Sequence, residues 1–76
     1  MKRILLADDH ESLRSALRLL LETRLGLEVI TEARDMEHVL AQVEEARPDI
    51  ILLDWELPGR PRRERLPLLR MLVPGI

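Results

Sequence analysis

The chain has 76 residues, which is enough for one small domain. It contains no cysteine, which excludes a disulfide framework and a thiolate metal site and fits a reducing compartment such as the cytoplasm. No apolar run approaches the roughly 18 residues of a membrane span. The apolar run near the N-terminus is short and meets two aspartates, which argues against a signal peptide. We therefore expect a cytoplasmic domain without a membrane partner.

The first strand and the first helix are predicted from apolar spacing. The stretch Arg3–Ala7, "RILLA", is too apolar to alternate, which is typical of a strand covered on both faces. A helix is predicted over Glu11–Arg24, with Gly26 as its stop. Leu27–Ala33 carries β-branched residues and predicts a second strand. The residues expected on one face of the helix are Leu13, Ala16, Leu17, Leu20 and Leu21.

A second helix is predicted between Asp35 and Arg47. The Asp35 side chain can accept a hydrogen bond from an N–H group of the first turn. Pro48 cannot continue the helix and biases Arg47 away from helical geometry. The helical period is carried by Met36, Val39, Leu40 and Val43.

The last third of the chain predicts one more strand and one more helix. Ile50–Leu53 is expected to be a third buried strand, and a loop at Pro58–Pro61 precedes a weaker helix from Arg62 to Met71. The final "VPGI" is expected to form a turn, with Ile76 opening another strand. Helices that connect successive strands make those strands parallel. The fold class is therefore α/β, with a doubly wound parallel sheet.

Carboxylates follow two of the predicted strands. Asp8 and Asp9 follow the first strand, and Asp54 follows the third. Functional groups in parallel sheets gather at the carboxyl ends of the strands, so these carboxylates converge if the strands are neighbours. Like charges about 4 Å apart repel by roughly 4 kcal/mol at an effective dielectric near 20, which calls for a proton or a cation.

Oxygen ligands favour a hard cation such as Mg²⁺, and a carboxylate beside Mg²⁺ suits phosphoryl chemistry through an aspartyl phosphate. Two simpler interpretations remain open. Asp8 and Asp9 could cap the first helix, and Asp54 could cap a turn.

The motifs "ILLADDH" and "PDIILLDWELPG", about 45 residues apart, resemble the receiver domains of bacterial two-component response regulators. The stretch "LLADDHESLRSALRLLLE" is most similar to receivers of transcription factors with a helix-turn-helix output domain. The resemblance implies a flavodoxin-like fold with strand order 2-1-3 for the three strands present. It further implies that residues 1–76 form a partial receiver domain, the N-terminal (βα)₃ portion, truncated after about the third helix.

The resemblance also assigns roles to residues. It makes Asp54 the phospho-acceptor, Asp9 a direct metal ligand and Asp8 its partner through water. Glu56 corresponds to the position whose backbone carbonyl binds the metal, and Pro58–Gly59 to the loop that shapes the site. It implies Mg²⁺ as cofactor, a histidine kinase as phosphoryl donor, and DNA contact only through an output domain outside these residues. The expected role is regulatory, with self-catalysed phosphoryl transfer and no other enzyme activity.

The sequence departs from the receiver pattern after the third helix. It has no counterpart of the family's Ser/Thr after the fourth strand, of the aromatic switch residue of the fifth, or of the Lys after the fifth, and Lys2 lies at the wrong end of the first strand. A three-stranded sheet would leave an open edge, and open edges recruit other chains. The alternative function is therefore a non-phosphorylated interaction or dimerisation module with a vestigial acidic site. A homodimer or a second chain would complete the sheet.

A hydrolase of the haloacid dehalogenase type is disfavoured, because it needs an aspartate where this chain has Glu56 and because the chain is too short. His10 and His38 are expected to be solvated helix residues and not ligands, and Trp55 to be a packing or loop residue that reports on the site. The arginines after the loop could contact nucleic acid or an acidic partner, but without interleaved aromatic residues a solvated helix face is favoured. These arginines are Arg60, Arg62, Arg63 and Arg65.

Overall fold

The computed structural model describes residues 2–72 and contains three parallel strands and three helices in alternation. In chain order, the elements are β1 (Arg3–Ala7), α1 (Glu11–Arg24), β2 (Glu28–Ala33), α2 (Met36–Ala46), β3 (Ile50–Leu53) and α3 (Arg62–Leu72). The strand order is β2-β1-β3, as expected, so α1 connects two neighbouring strands, whereas α2 connects the two outer strands across β1. The predicted C-terminal turn, with Ile76 opening another strand, lies outside the described residues. Among residues 2–72, no helix combines the length and the apolar character that crossing a membrane requires.

The central strand β1 is covered on both faces, as its apolar sequence predicts. Its residues from Ile4 to Ala7 are at most 2% exposed. Leu5 belongs to the core beneath α2 and α3, and Leu6 belongs to the core beneath α1. Ala7 pairs with Ala33 on one side and with Leu53 on the other, which aligns the carboxyl ends of all three strands.

The two faces of the sheet carry cores of unequal size. The larger core lies beneath α2 and α3, and the smaller one lies beneath α1. Because each buried leucine contributes roughly 1.5–3 kcal/mol, most of the stability of this fold comes from the α2–α3 side. The buried members of the larger core are Leu5, Ala7, Ala33, Met36, Val39, Val43, Leu57 and Leu69, and those of the smaller are Leu6, Leu21 and Val29.

Part of the expected core is open to solvent. Leu13 and Leu20 of α1 are each 50% exposed, although the helical period places them on the apolar face. The prediction of a buried third strand is wrong for Ile50 and Leu52, which are 39% and 41% exposed. The reason is that β3 is the edge strand of the sheet, and no further element within residues 2–72 covers its outer side. We call Leu13, Leu20, Ile50 and Leu52 the open apolar surface.

The ends of the helices follow the predicted local chemistry. The Asp35 carboxylate accepts the N–H of His38 at 2.8 Å and caps α2. Arg47 adopts a left-handed conformation with φ 53° and donates its N–H to the Val43 carbonyl at 3.1 Å, which ends α2 before Pro48. Gly26 follows α1 with φ 64°, a conformation that costs glycine little.

The loop after β3 passes close to the start of α2. The Pro58 carbonyl accepts the N–H of Met36 at 2.9 Å, and Gly59 has φ 121°. A Cβ atom at Gly59 would lie 2.7 Å from the Cβ of Met36. Both the backbone conformation and the close approach therefore require glycine at this position.

We expect Gly59→Ala to lower the free energy of unfolding by about 2–4 kcal/mol, because backbone strain and overpacking add. Gly26→Ala is the matched control, since Gly26 also has positive φ but a Cβ there meets open space. It is expected to cost only the strain of about 1–2 kcal/mol. Urea unfolding of both variants measures the difference, and equal losses would contradict the close approach at Met36.

Candidate functional site

Backbone hydrogen bonds bring two of the aspartates side by side at the carboxyl edge of the sheet. The Asp8 N–H donates to the Ala33 carbonyl at 3.0 Å, which continues the pairing of β1 with β2. The Asp54 N–H donates to the Ala7 carbonyl at 2.9 Å, which continues the pairing of β3 with β1. The positions of both carboxylates are thus fixed by the sheet itself, and not by a flexible loop.

Four side chains meet at this edge. Asp8, Asp9, His10 and Asp54 each offer one ligand atom, and these atoms lie within 4.8 Å of one another. Three of the four donors are carboxylate oxygens, which suits a hard divalent cation. We call the three carboxylates the aspartate cluster, and the strand order alone predicts that they meet.

The members of the aspartate cluster differ in exposure and in bonding. Asp8 is only 4% exposed, and its Oδ1 accepts the backbone N–H of His10 at 2.8 Å just before α1. The Asp8 carbonyl accepts a hydrogen bond from Arg14 Nη1 at 2.7 Å. Asp9 is exposed. Asp8 therefore stabilises the turn into α1 while it remains in the cluster, whereas Asp9 faces solvent.

The His10 side chain lies next to the aspartate cluster. Its side chain is largely exposed, in keeping with the expected solvated residue. Its Nδ1, however, lies 3.0 Å from Asp9 Oδ1 and 3.3 Å from Asp8 Oδ1. A protonated imidazole in this place would offset part of the charge of the cluster. The signal in the sequence is that His10 directly follows two aspartates.

The loop after β3 folds back onto Asp54. Asp54 Oδ1 accepts the N–H of Glu56 at 3.1 Å, and the Asp54 carbonyl accepts the N–H of Leu57 at 3.1 Å. Leu57 is 1% exposed and anchors the loop in the larger core. The Glu56 side chain is exposed and lies outside the aspartate cluster. Glu56 therefore contacts the aspartate cluster through its backbone N–H.

A groove of about 250 Å³ opens beside the aspartate cluster. One end is polar, because Asp8 and Asp54 line it, and the remainder is apolar. The apolar lining comes from the face of the sheet toward α1 and includes Leu17 and Leu52. The carboxyl edge of the sheet is therefore open to a small group that approaches Asp54.

The arginines after the loop do not form the single solvated face that the sequence predicts. Arg65 is 6% exposed and donates hydrogen bonds to three backbone carbonyls of the loop. Arg60 Nε pairs with Glu37 at 2.9 Å, and the Arg62 guanidinium lies 5.6 Å from the centre of the Trp55 ring. The prediction is wrong for Arg65, because a helical period cannot distinguish a solvated arginine from one that satisfies buried carbonyls.

An ion network ties α1 to β2 next to the site. Glu32 accepts hydrogen bonds from Arg14 Nε at 2.8 Å and from Arg18 Nη1 at 2.5 Å. Partial burial alone would raise the pKa of Glu32, but the bonds from Arg18 and Arg14 outweigh it and lower that pKa below its ordinary value of 4.5. The hydrogen bond to Glu32 likewise raises the pKa of Arg18. Because Arg14 also holds the Asp8 carbonyl, this network supports the aspartate cluster.

We expect acid to weaken the fold through Glu32. A carboxyl group whose pKa is lowered on folding contributes stability above the unfolded pKa and loses it as the pH falls through the folded pKa. Glu32→Gln should therefore be less stable than the parent chain at pH 7, and its stability should fall less steeply below pH 4.5. Urea unfolding between pH 7 and pH 3 measures both effects, with exposed Glu44→Gln as the control. Parallel pH profiles for the parent chain and Glu32→Gln would contradict the prediction.

Known proteins resemble this chain in sequence and in fold. A family model described as the response regulator receiver domain matches residues 4–70. The chain is 40% identical to the transcriptional activator protein ExaE of Pseudomonas putida, over 91% of this chain and 36% of that protein. It is 38% identical to the DNA-binding transcriptional activator DevR/DosR of Mycobacterium tuberculosis, over 96% of this chain and 37% of that protein.

A solved structure agrees with the sequence relatives. The crystal structure of a LuxR-family two-component response regulator from Aurantimonas sp. SI85-9A1 superposes with a TM-score of 0.84 at 37% identity. The match covers 93% of this chain and 51% of that chain. The family model covers most of the chain, and the fold agrees with it, so this chain belongs to the response regulator receiver domain family. It spans little more than a third of the length of the curated relatives named above.

The flavodoxin-like receiver fold expected from the motifs is thereby confirmed for the three strands and three helices present. The family places the chain in two-component signalling, where receiver domains are regulatory. The aspartate cluster supplies a set of ligands that could hold a metal ion.

Proposed function

We propose that this chain is the phospho-accepting receiver portion of a response regulator, in which Asp54 takes a phosphoryl group from a histidine kinase with the help of Mg²⁺. The observation that carries the proposal is the meeting of Asp8, Asp9 and Asp54 within 4.8 Å at one edge of the sheet. Their mutual repulsion makes a divalent cation a favourable partner. The family membership supports the same assignment.

The proposed ligand set is the one that the resemblance to receiver domains implies. Asp9 and Asp54 would bind Mg²⁺ directly, the buried Asp8 would act through a bound water, and Glu56 would contribute its backbone carbonyl. All of these donors are oxygens, as Mg²⁺ prefers. When bound, Mg²⁺ neutralises charge on the phosphoryl oxygens.

The Asp54 carboxylate supplies the nucleophile. One of its oxygens forms a bond to phosphorus while the phosphorus–nitrogen bond of the donor phosphohistidine breaks, and the imidazole leaves with the electron pair. The groove beside Asp54 admits the phosphoryl group. The only lysine, Lys2, precedes β1 at the opposite end of the strand and cannot pair with the phosphoryl oxygens.

Residues 1–76 would form the N-terminal (βα)₃ portion of the receiver, in a cytoplasmic protein. Two of the relatives are described as transcriptional activators, and one as DNA-binding. By analogy, DNA would be contacted only through an output domain outside these residues. The chain itself would act as a regulatory acceptor with self-catalysed phosphoryl transfer.

The proposal is tested by incubating the chain with acetyl phosphate, with Mg²⁺ or with EDTA, and measuring the intact mass. We expect the addition of one phosphoryl group in Mg²⁺ and none in EDTA. Mg²⁺ should also change the fluorescence of Trp55, which directly follows the acceptor. A chain that takes up no phosphoryl group and shows no response to tens of millimolar Mg²⁺ would refute the proposal.

The open apolar surface favours a second function, that of an interaction module in which the edge of β3 pairs with a second copy or another chain. Ile50 and Leu52 are exposed on an edge strand, and such edges pair with other strands. Light scattering at micromolar concentration tests this function directly. We expect an oligomer that Leu52→Glu dissociates and that Leu19→Glu, at an exposed position of α1, leaves intact. A folded monomeric parent chain would refute it.

A further inference from the structure

Arg65 is an unusual buried charge in this small fold. It lies in the first half of α3 and is 6% exposed. Among residues 2–72, no carboxylate lies within ion-pair distance of it. Its guanidinium instead donates to three backbone carbonyls, those of Arg60 at 2.9 Å, Trp55 at 3.1 Å and Leu57 at 2.5 Å.

These hydrogen bonds explain how the charge is tolerated. A buried cation without partners is costly, and charge-assisted hydrogen bonds to oxygen acceptors compensate for the lost hydration. The guanidinium is planar and presents its donors in a fixed fork, so it can hold several carbonyls at a defined spacing. A lysine ammonium is a compact point charge and cannot span the same acceptors. The contact is therefore specific to arginine.

The carbonyls that Arg65 holds are placed around one particular residue. Trp55 and Leu57 are the neighbours of Glu56 on either side. On the opposite side of the loop, the N–H of Glu56 donates to Asp54 Oδ1. The backbone around Glu56 is thus held by α3 from one side and by Asp54 from the other, and the Glu56 carbonyl is not one of the three acceptors of Arg65.

We propose that Arg65 is a positioning residue of the metal site, which fixes the direction of the Glu56 carbonyl by holding the carbonyls on both sides of it. This inference rests on the proposed function, in which the Glu56 carbonyl is a ligand of Mg²⁺. Mg²⁺ demands near-ideal octahedral geometry, so a ligand on a loose loop would bind it weakly. Replacing a residue that hydrogen-bonds to a metal ligand and orients it commonly lowers metal affinity by 10- to 100-fold.

The test compares Arg65→Lys and Arg65→Gln with the matched control Arg63→Lys, which changes an exposed arginine of the same helix. The readout is the dissociation constant for Mg²⁺, taken from the midpoint of the Trp55 fluorescence titration. The titration is carried out below the thermal unfolding midpoint of each variant. Circular dichroism shows that each variant is folded. We expect the Arg65 variants to bind Mg²⁺ about tenfold more weakly, while Arg63→Lys binds like the parent chain.

The outcomes separate this inference from the proposed function. If the parent chain does not bind Mg²⁺, the proposed function and the role of Arg65 both fail. If the parent chain binds Mg²⁺ and the folded Arg65 variants bind it equally well, the proposed function stands and Arg65 serves the fold alone.

A measurement on the parent chain covers the case in which both variants unfold. In the carbon-13 spectrum, Mg²⁺ should shift the carbonyl resonance of Glu56 more than those of Trp55 and Leu57, and the Arg65 Nε–H should remain protected from exchange. An unshifted Glu56 carbonyl, or loss of the Arg65 protection on adding Mg²⁺, would overturn the inference.

Discussion

Asp54→Asn is expected to abolish uptake of a phosphoryl group while the chain stays folded. The asparagine keeps the size of the side chain and the Oδ1 acceptor that binds the Glu56 N–H, so the loop after β3 retains its local contacts. It removes the negative charge that makes the oxygen a nucleophile. Intact-mass measurement after incubation with acetyl phosphate and Mg²⁺ should show phosphorylated parent chain and unmodified variant.

Two further substitutions separate acceptance of the phosphoryl group from binding of the metal. Asp9→Asn should retain Asp54 but need more Mg²⁺ for the same extent of modification, because it loses the exposed carboxylate that is proposed to bind the metal. Asp49→Asn is the matched control, since Asp49 lies before β3, at the opposite end of the strand, where its Oδ2 accepts the Arg3 N–H at 2.9 Å. It should be modified like the parent chain. Phosphorylation of Asp54→Asn at the parental rate would show that another residue is the acceptor.

Leu5→Ala is expected to be the most damaging of the simple core truncations. Leu5 is fully buried in the larger core. The loss of a leucine side chain together with the cavity it leaves should cost about 3–5 kcal/mol. A chain of this length is stabilised by roughly 4–11 kcal/mol in total, so the variant should be largely unfolded or close to it.

The neighbouring residue provides a control with the same chemistry. Leu6 is 1% exposed but faces the smaller core, and it lines the groove beside the aspartate cluster. Since part of its surroundings is already unfilled, Leu6→Ala should cost less, about 2–3 kcal/mol. Urea unfolding gives the two values. An equal or larger cost for Leu6→Ala would contradict the assignment of the larger core to the α2–α3 side.

The elements of this fold were predictable because each is determined by local chemistry. The apolar period, the Asp35 cap, Gly26 and Pro48 locate the helices to within a residue or two. The continuous apolar sequence of β1 predicts the central strand. The aspartates that follow β1 and β3 meet at the carboxyl edge of the sheet. The motifs around Asp8–Asp9 and Asp54 correctly indicated the receiver family.

Burial was less predictable, because it depends on which elements are present to cover a surface. Ile50 and Leu52 are as apolar as any residue of β1, yet they are exposed because β3 lies at the edge of the sheet. Leu13 and Leu20 follow the helical period and are half exposed for a similar reason. A hydrophobic pattern shows which face would be buried, and it does not show whether a neighbour exists.

The sequence by itself determined the order of strands and helices, the family and the three aspartates, because periodicity, caps and strand ends are local properties. Only the tertiary structure decided that Arg65 is buried, unlike the exposed arginines near it, and that it holds the backbone on both sides of Glu56. The physical reason is that this contact depends on the distance between a helix and a loop across the fold, and no spacing along the chain encodes that distance.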